Sequence, residues 1–327
     1  MNDRIIYKVI QRLTLTAALG LVSVPALAHT GPAVPKPVSL DLLLNAFGWD
    51  MDSTAIEVQK VSDNLHVLFG VGGNIAVSVG GDGVLVVDDQ FPEMMPKIKA
   101  AIKTLGGEGV DFAVNTHWHF DHAEGNLALG KEATWLVSHA NSREMMLEDQ
   151  IVNLVSIAYQ QKAYPKEALP TLTYDSTMQF HINGEEIELL HFGPAHTTGD
   201  TAIIFRGSNA VHLGDVFNNA GYPFIDAGNG GTLAGMVKFC REVLKAIDET
   251  TTVIPGHGPV TDYQTLQQYV AMLSTTEQRM RSLIDTGATL QQVQDANITA
   301  QWDEKMGDNS GFINRAYMSL THRIVDK

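Results

Sequence analysis

The stretch "NTHWHFDHAEGN", residues 115–126, places three histidines and one aspartate within six positions. The chain has only 12 histidines in 327 residues, and crowded imidazoles repel one another when they are protonated. The run "VDFAVNT" (110–116) leads directly into this cluster and is typical of a strand. In an extended conformation His117 and His119 point to one side, and Asp121 and His122 follow in the turn. The pattern favours a metal site over a solvated turn that happens to be rich in histidine.

Three further residues lie at predicted strand-to-loop junctions. They are His196 in "GPAHTTGD", Asp215 in "HLGDVF" and His257 in "VIPGHGP", each flanked by glycine or proline, which allow loops to approach closely. With the cluster they make seven nitrogen and oxygen donors. Such a set suits two Zn²⁺ ions that share a carboxylate.

These residues, in this order, resemble the five sequence motifs, or signposts, of the metallo-β-lactamase superfamily. Asp88 at the end of "GVLVVD" matches the first signpost, a structural aspartate beneath the site, and the other four are the His cluster, His196, Asp215 and His257. The resemblance covers about residues 53–270. It implies an αββα four-layer sandwich, an α/β (α+β) fold, with two zinc ions per chain.

Carried over by position, the resemblance implies that His117, His119 and His196 hold one zinc ion. Asp121, His122 and His257 would hold the other, with Asp215 as the bridge. The diiron flavoprotein branch has glutamate where this chain has His119, which favours a hydrolase over an oxygen reductase. The commonest class-B β-lactamases have cysteine at the position of Asp215 and, three residues on, a lysine where this chain has Asn218.

The expected chemistry follows from the donor set. Two zinc ions about 3.5–4 Å apart lower the pKa of a bridging water, so that hydroxide attacks a carbonyl carbon. Asp121 is the candidate catalytic proton acceptor, and Asp200 in "HTTGD" is predicted to orient a ligand imidazole. The expected substrate is a small lactam, lactone or ester. The expected β-lactamase activity is weak, because Asn218 cannot supply a cation to bind the carboxylate of a β-lactam antibiotic.

Other side chains are candidates for the walls of the site. Trp118, Tyr222 and Asn218 are candidate pocket residues, and Trp49, Phe69 and Phe91 are candidates to flank the cleft. The segment "GVGGN" (70–74) lacks the spacing of a phosphate loop and is predicted to be a flexible hairpin over the site.

Two other functions fit part of the pattern. An iron-dependent sulfur dioxygenase uses a similar His/Asp set with one iron, and metal analysis would separate it from a zinc hydrolase. A non-catalytic periplasmic metal-binding relay protein would keep the fold, but such proteins normally lose ligands. The sequence does not choose between substrates, because substrate choice depends on loop shape.

The N-terminus has the three parts of a signal peptide. Arg4, Lys8 and Arg12 precede an apolar stretch, Leu13 to Val24, and "PALA" then predicts cleavage near Ala28. The apolar stretch is shorter than the ~20 residues of a spanning helix. We therefore expect a periplasmic or secreted protein without a membrane anchor, and the absence of a second cysteine beside Cys240 excludes an intramolecular disulfide.

The pattern along the chain predicts three segments. Residues 1–28 are the predicted signal peptide, 29–52 an extended proline-containing lead-in, and 53–327 one domain with a helical insertion near 141–165 and C-terminal helices. Strand-like runs followed by a helix occur twice, which predicts two sheets between layers of helices. A net charge of −15 argues against a nucleic-acid partner and favours a small-molecule substrate, and the oligomeric state is left open.

Overall fold

The computed structural model describes residues 34–321. The predicted signal peptide (1–28), with its cleavage point at Ala28, lies outside the described residues. The strands are β1 (Pro37–Val38), β2 (Glu57–Lys60), β3 (Leu65–Phe69), β4 (Ile75–Gly80), β5 (Gly83–Val87), β6 (Phe112–Val114), β7 (Trp135–His139), β8 (Gln150–Asn153), β9 (Ala158–Gln161), β10 (Leu172–Tyr174), β11 (Thr177–Ile182), β12 (Glu185–Leu190), β13 (Ala202–Phe205), β14 (Ala210–His212), β15 (Thr252–Ile254) and β16 (Thr261–Asp262). The helices are α1 (Leu40–Phe47), α2 (Met95–Thr104), α3 (Phe120–Ala123), α4 (Asn126–Leu129), α5 (Ala140–Met146), α6 (Leu233–Ala246), α7 (Tyr263–Ile284), α8 (Leu290–Asp295), α9 (Ala300–Met306) and α10 (Ser310–Thr321).

Two large sheets form the centre of the molecule. One has seven strands in the order β10-β7-β6-β5-β4-β3-β2, and the other has six in the order β11-β12-β13-β14-β15-β16. In the first sheet β5, β6 and β7 run parallel, and in the second β14 and β15 do so. Parallel neighbours end at the same edge of their sheet, so the loops after them can meet.

Alternation along the strands explains the four layers. In β5, Leu85 and Val87 face the core between the two sheets, while Val84 and Val86 face α2. In β13 the alternate side chains likewise divide between the inter-sheet core and a core formed with α6, α7 and α10. Successive side chains of a strand point to opposite faces, so strands buried on both faces read as continuous apolar runs. The predicted αββα sandwich is confirmed.

The predicted helical insertion near 141–165 is wrong over most of its length. Only α5 is helical there, and β8 and β9 then form an antiparallel hairpin with Val152 opposite Tyr159. Asn153 accepts a hydrogen bond from the backbone N–H of Val155 and closes the turn between them. The run "IVNLVSIAY" is rich in β-branched residues, and short apolar runs of this kind do not distinguish helix from strand by periodicity.

The predicted extended lead-in over 29–52 is also wrong in its second half. Residues 40–47 form α1, with the Ser39 side chain accepting a hydrogen bond from Leu42 N–H and Gly48 ending the helix in the left-handed region at φ +68°. Within 29–52 all three prolines, Pro32, Pro35 and Pro37, precede this helix, so none of them prevents helix formation from Leu40 onward. The described fold therefore begins well before Ser53.

The C-terminal part follows the prediction for helices near 261–285 and 311–324, as far as the described residues reach. α7 and α10 occupy these ranges, and α8 and α9 lie between them. Among the helices of residues 34–321, none is both long and apolar enough to span a bilayer.

Candidate metal centre

All seven predicted ligands lie in loops and short helical turns that follow strands of the two central sheets. His117, His119, Asp121 and His122 follow β6, whereas His196 lies between β12 and β13. Asp215 follows β14 and His257 follows β15. The segments after the parallel strands β6, β14 and β15, together with the loop between the antiparallel strands β12 and β13, bring these side chains together.

Asp88, directly after β5, is hydrogen-bonded to the His cluster and to the threonine that precedes it. Its buried carboxylate accepts hydrogen bonds from the Thr116 N–H at 2.7 Å, from the Thr116 hydroxyl at 2.8 Å and from His122 Nδ1 at 2.7 Å. Because the Thr116 hydroxyl donates to Asp88, it accepts from His117 Nδ1 at 3.0 Å. His117 and His122 therefore both engage Nδ1 on this side and turn Nε2 away from Asp88.

The first group consists of His117, His119 and His196, whose facing nitrogens lie within 4.8 Å of one another. His119 Nε2 donates to the Asp226 carboxylate at 3.0 Å, and His196 Nδ1 donates to the Phe224 carbonyl at 2.8 Å. The opposite nitrogens, His119 Nδ1 and His196 Nε2, then face each other at 2.9 Å. Two neutral nitrogens that both present lone pairs cannot bond to each other, but a cation between them satisfies both.

The second group consists of Asp121, His122 and His257. His257 Nε2 lies 3.1 Å from Asp121 Oδ2 and 3.2 Å from His122 Nε2. Asp215 connects the groups, since its Oδ1 lies 3.1 Å from His122 Nε2 and its Oδ2 lies 3.7 Å from His196 Nε2. The carboxylate thus turns one oxygen toward each group.

The electrostatics of the two groups differ. Burial and the neighbouring imidazoles of His122, His196 and His119 hold the pKa of His117 well below its usual range. Burial also acts to lower the pKa of His257, but the Asp215 and Asp121 carboxylates outweigh it and raise that pKa to about 9. Burial therefore disfavours a positive charge on His117 in the first group, whereas the carboxylates of Asp215 and Asp121 favour one on His257 in the second.

The donors fit a divalent cation of borderline softness. Imidazole nitrogens and carboxylate oxygens are the ligands that zinc prefers. The buried Nε2 of His117 has no hydrogen-bond partner in the described part of the chain, and it faces the other donors. Four of the five inward imidazoles are oriented by a second contact, the arrangement that metal-binding histidines normally have.

Asp200 does not orient a ligand imidazole directly, so that part of the prediction is wrong. Its carboxylate accepts from the Ala195 and Thr197 N–H groups at 3.1 and 2.8 Å and from the Thr197 hydroxyl at 2.8 Å. These bonds tighten the loop that carries His196. The ring itself is oriented by the Phe224 carbonyl.

A cavity of about 350 Å³ opens onto the donors His119, Asp121, Asp215 and His257. The remaining lining residues are Phe47, Trp49, Phe120, Val152, Leu154, Asn218, Ala220, Tyr222 and Phe224. The candidate pocket residues Asn218 and Tyr222 line this cavity, and so does Trp49.

Trp118 was expected in the pocket, and this is wrong. Its side chain is fully buried in an apolar cluster with Met146 and Val152, and it does not line the cavity. Phe69 and Phe91 also belong to the packing of the protein rather than to the cavity lining. A tryptophan between two strand-end ligands points to the opposite side from them, as alternation requires.

The segment 70–74 is not a flexible hairpin over the site. Gly73 N–H donates to the Asp121 carbonyl at 2.9 Å, and the Asn74 side-chain amide donates to the carbonyls of Pro255 and Gly258 at 2.9 and 2.8 Å. The segment therefore ties the His cluster to the loop that carries His257.

Sequence reasoning did not identify Asp226, the partner of His119. The residue lies in "FIDAGNGG", 107 positions after that histidine, and nothing local marks it. It also did not identify Phe47, whose place in the cavity depends on the tertiary position of α1.

Comparison with known proteins agrees with the fold and the donor set. Residues 68–268, more than half of the chain, match the sequence profile of the metallo-beta-lactamase superfamily. A probable hydroxyacylglutathione hydrolase of Schizosaccharomyces pombe is 32% identical over 169 residues, which are 50% of this chain and 54% of that protein. The match thus spans about half the length of this curated relative.

Solved structures show the same architecture. The DIM-1 metallo-beta-lactamase superposes with a TM-score of 0.54 at 18% identity, over 68% of this chain and 98% of that one. A metallo-beta-lactamase from Pontibacter korlensis gives a TM-score of 0.54 at 18% identity, over 67% and 99% of the two chains. At such low identity the likeness concerns the fold, but with the profile match it leads to one conclusion. The chain belongs to the metallo-beta-lactamase superfamily.

Proposed function

We propose that this protein is a dinuclear zinc hydrolase that cleaves a small carbonyl substrate, a lactam, a lactone or an ester. The observation that carries the proposal is Asp215, which turns one oxygen to each of two groups of donors. His117, His119 and His196 would hold one ion, and Asp121, His122 and His257 the other. A bound zinc pair would supply Lewis-acid polarisation of the carbonyl and a water of lowered pKa.

The residues of the chain supply the proton transfer and the binding surface. Asp121 lines the cavity, and although burial acts to raise its pKa, the neighbouring imidazoles of His122 and His257 together hold that pKa below its usual value. A carboxylate that is ionised at neutral pH and exposed to the cavity is placed to accept a proton from water and return it to the leaving group.

The cavity supports weak rather than efficient β-lactam turnover. Among its lining residues, all of them described, none is lysine or arginine, and Asn218 contributes a neutral amide. A charge-assisted hydrogen bond to a drug carboxylate is worth about 1.5–3 kcal/mol, roughly 10- to 150-fold in rate or affinity. We expect detectable β-lactam opening with kcat/KM below about 10⁶ M⁻¹s⁻¹, under the upper part of the usual enzyme range.

Thioesters belong in the same group of candidate substrates. The name of the S. pombe relative implies hydrolysis of a glutathione thioester by that protein. The export that we propose from residues 1–28 argues against a glutathione substrate here, since glutathione thioesters are mostly cytoplasmic. Mass spectrometry of exported protein that begins at His29 would support export, and an intact Met1 or a lipid adduct would contradict it.

The test of the proposed function is metal analysis followed by a substrate panel. We expect about two zinc ions per chain, and hydrolysis within a panel of a penicillin, a lactone, an aryl ester and a thioester. His117→Ala should lose both metal and activity, whereas His181→Ala, at an exposed position of β11, should keep both. One iron per chain with oxygen consumption and no hydrolysis would instead indicate a dioxygenase.

A further inference from the structure

The N-terminal segment is built into the wall of the cavity. β1 pairs in parallel with β9, with Pro37 opposite Ala158 and Val38 opposite Tyr159. β9 in turn pairs with β8, so the segment and the hairpin form a three-stranded sheet separate from both central sheets. The two chain segments, about 110 residues apart in sequence, therefore form one structural unit beside the metal centre.

Specific contacts hold the end of α1 in place. Trp49 N–H donates to the Leu44 carbonyl at 2.9 Å across the left-handed turn at Gly48. Just beyond it, the Lys97 ammonium on α2 donates to three carbonyls of the following turn, those of Met51, Asp52 and Thr54, at 2.7–2.8 Å. One partly exposed ammonium group that donates to three carbonyls restricts this turn, so Trp49 has a defined position.

The two aromatic rings at this end of α1 lie against the metal centre. The ring of Trp49 is roughly parallel to that of His257, with centroids 6.3 Å apart, and the ring of Phe47 lies 4.9 Å from Trp49. Phe47 is 44% exposed, although it lines the cavity. An exposed aromatic ring beside a catalytic cavity is apolar surface that a bound group would cover.

The hairpin supplies the facing surface. Val152 and Leu154 line the same cavity, and we call these two residues with Phe47 and Trp49 the apolar wall. Arg315 on α10 donates to the Asn153 carbonyl at 3.1 Å and Asn229 donates to the Ile151 carbonyl at 3.0 Å, so the hairpin is also held in place. Four apolar side chains and no cation would penalise a charged substituent, because burying a charge without a partner is costly.

We propose that the apolar wall makes Phe47 and Trp49 the specificity-determining residues of this enzyme and selects substrates with an uncharged, apolar acyl group. The proposal rests on the proposed hydrolase function, and it adds the substrate class. The acyl chain lies along Phe47 and Trp49, with Val152 and Leu154 on its other side and the scissile carbonyl toward Asp121 and Asp215.

The test compares four 4-nitrophenyl esters, the acetate, butyrate, hexanoate and hemisuccinate. With the wild type, kcat/KM should rise about three- to fourfold for each added methylene group, mainly because KM falls. The hemisuccinate, similar in length to the butyrate but ending in a carboxylate, should be at least tenfold poorer than the butyrate. In Phe47→Ala and Trp49→Ala the dependence on chain length should fall below twofold per methylene group.

Leu42→Ala is the matched control, because Leu42 lies on the same helix, is 58% exposed and does not line the cavity. It should keep the chain-length dependence of the wild type. Phe47 is partly exposed, so Phe47→Ala should fold normally, and melting temperatures identify any variant that does not. Equal chain-length dependence in the wild type and Phe47→Ala, or the same loss in Leu42→Ala, would overturn the proposal.

A binding measurement separates this inference from the hydrolase proposal. Calorimetry of the zinc-loaded protein with N-phenylhexanamide should show binding that weakens at least tenfold in Phe47→Ala. If the wild type hydrolyses no member of the panel of penicillin, lactone, aryl ester and thioester but binds this amide in a Phe47-dependent way, the hydrolase proposal is wrong and the role proposed for the apolar wall stands. If the wild type hydrolyses esters and its binding of N-phenylhexanamide does not depend on Phe47, the role proposed for the apolar wall is wrong and the hydrolase proposal stands.

Discussion

Asp215 differs from the other donors because one carboxylate faces both groups of histidines. Its two oxygens lie 3.1 Å from His122 Nε2 and 3.7 Å from His196 Nε2. In Asp215→Ala the three imidazoles of the first group remain, so we expect loss of about one of two zinc ions and a fall in activity of about 100-fold or more. Metal analysis of the dialysed variant checks this, with Asp285→Ala, at an exposed position after α7, as the control. Retention of both ions and full activity would rule out a bridging carboxylate.

Asp226 is not one of the candidate metal donors, and it acts on the metal centre by orienting His119. It is fully buried and accepts from His119 Nε2 at 3.0 Å, which leaves Nδ1 free to face His196. Asp226→Asn removes the charge that fixes this tautomer, and zinc affinity should fall about 10- to 100-fold. Competition with a chromogenic chelator measures the affinity directly, and Asp285→Asn should leave it unchanged. An unaltered zinc affinity in Asp226→Asn would mean that loop packing alone orients His119.

At the scale of elements, the loop between β3 and β4 determines where the second group of donors lies. A Cβ atom added to Gly73 would lie 2.2 Å from His122 Cε1, and the ring cannot retreat without breaking its bond to Asp88. Gly73→Ala should therefore cost about 1–3 kcal/mol of stability and reduce zinc binding at the second group. Denaturant unfolding and metal analysis test both effects. Gly81→Ala is the control, since nothing lies within 4 Å of its added Cβ, and equal behaviour of the two variants would contradict the contact.

At the scale of the whole molecule, the metal centre joins loops from both sheets. Asp121 follows a strand of the seven-stranded sheet, and Asp215 and His257 follow strands of the six-stranded sheet. A ligand that binds only the folded state at about 1,000-fold above its Kd adds about 4 kcal/mol. Chelation should therefore lower Tm by roughly 10 °C, as calorimetry with and without a chelator can measure. His117→Ala should melt near the chelated wild type and respond little to chelator, and a large response there would place the metal elsewhere.

The sequence by itself determined the layered fold and indicated the candidate donors. Apolar runs such as "GVLVVDD" are typical of a strand that is buried on both faces. Ligand residues that cluster just after a strand form a short motif, which can be recognised without knowing the rest of the fold. His117 and His119 were recognisable for this reason. The structure places all seven predicted donors within two groups joined by Asp215.

Only the tertiary structure decided what surrounds those donors. Asp226 reaches His119, and α1 carries Phe47 to the cavity, through contacts between residues far apart in the chain, which leave no periodic pattern in the sequence. The run "IVNLVSIAY" suits helix and strand about equally as a local segment, and its pairing with β1 selects the strand. Local propensity is worth a fraction of a kcal/mol per residue, so pairing and burial between distant segments outweigh it.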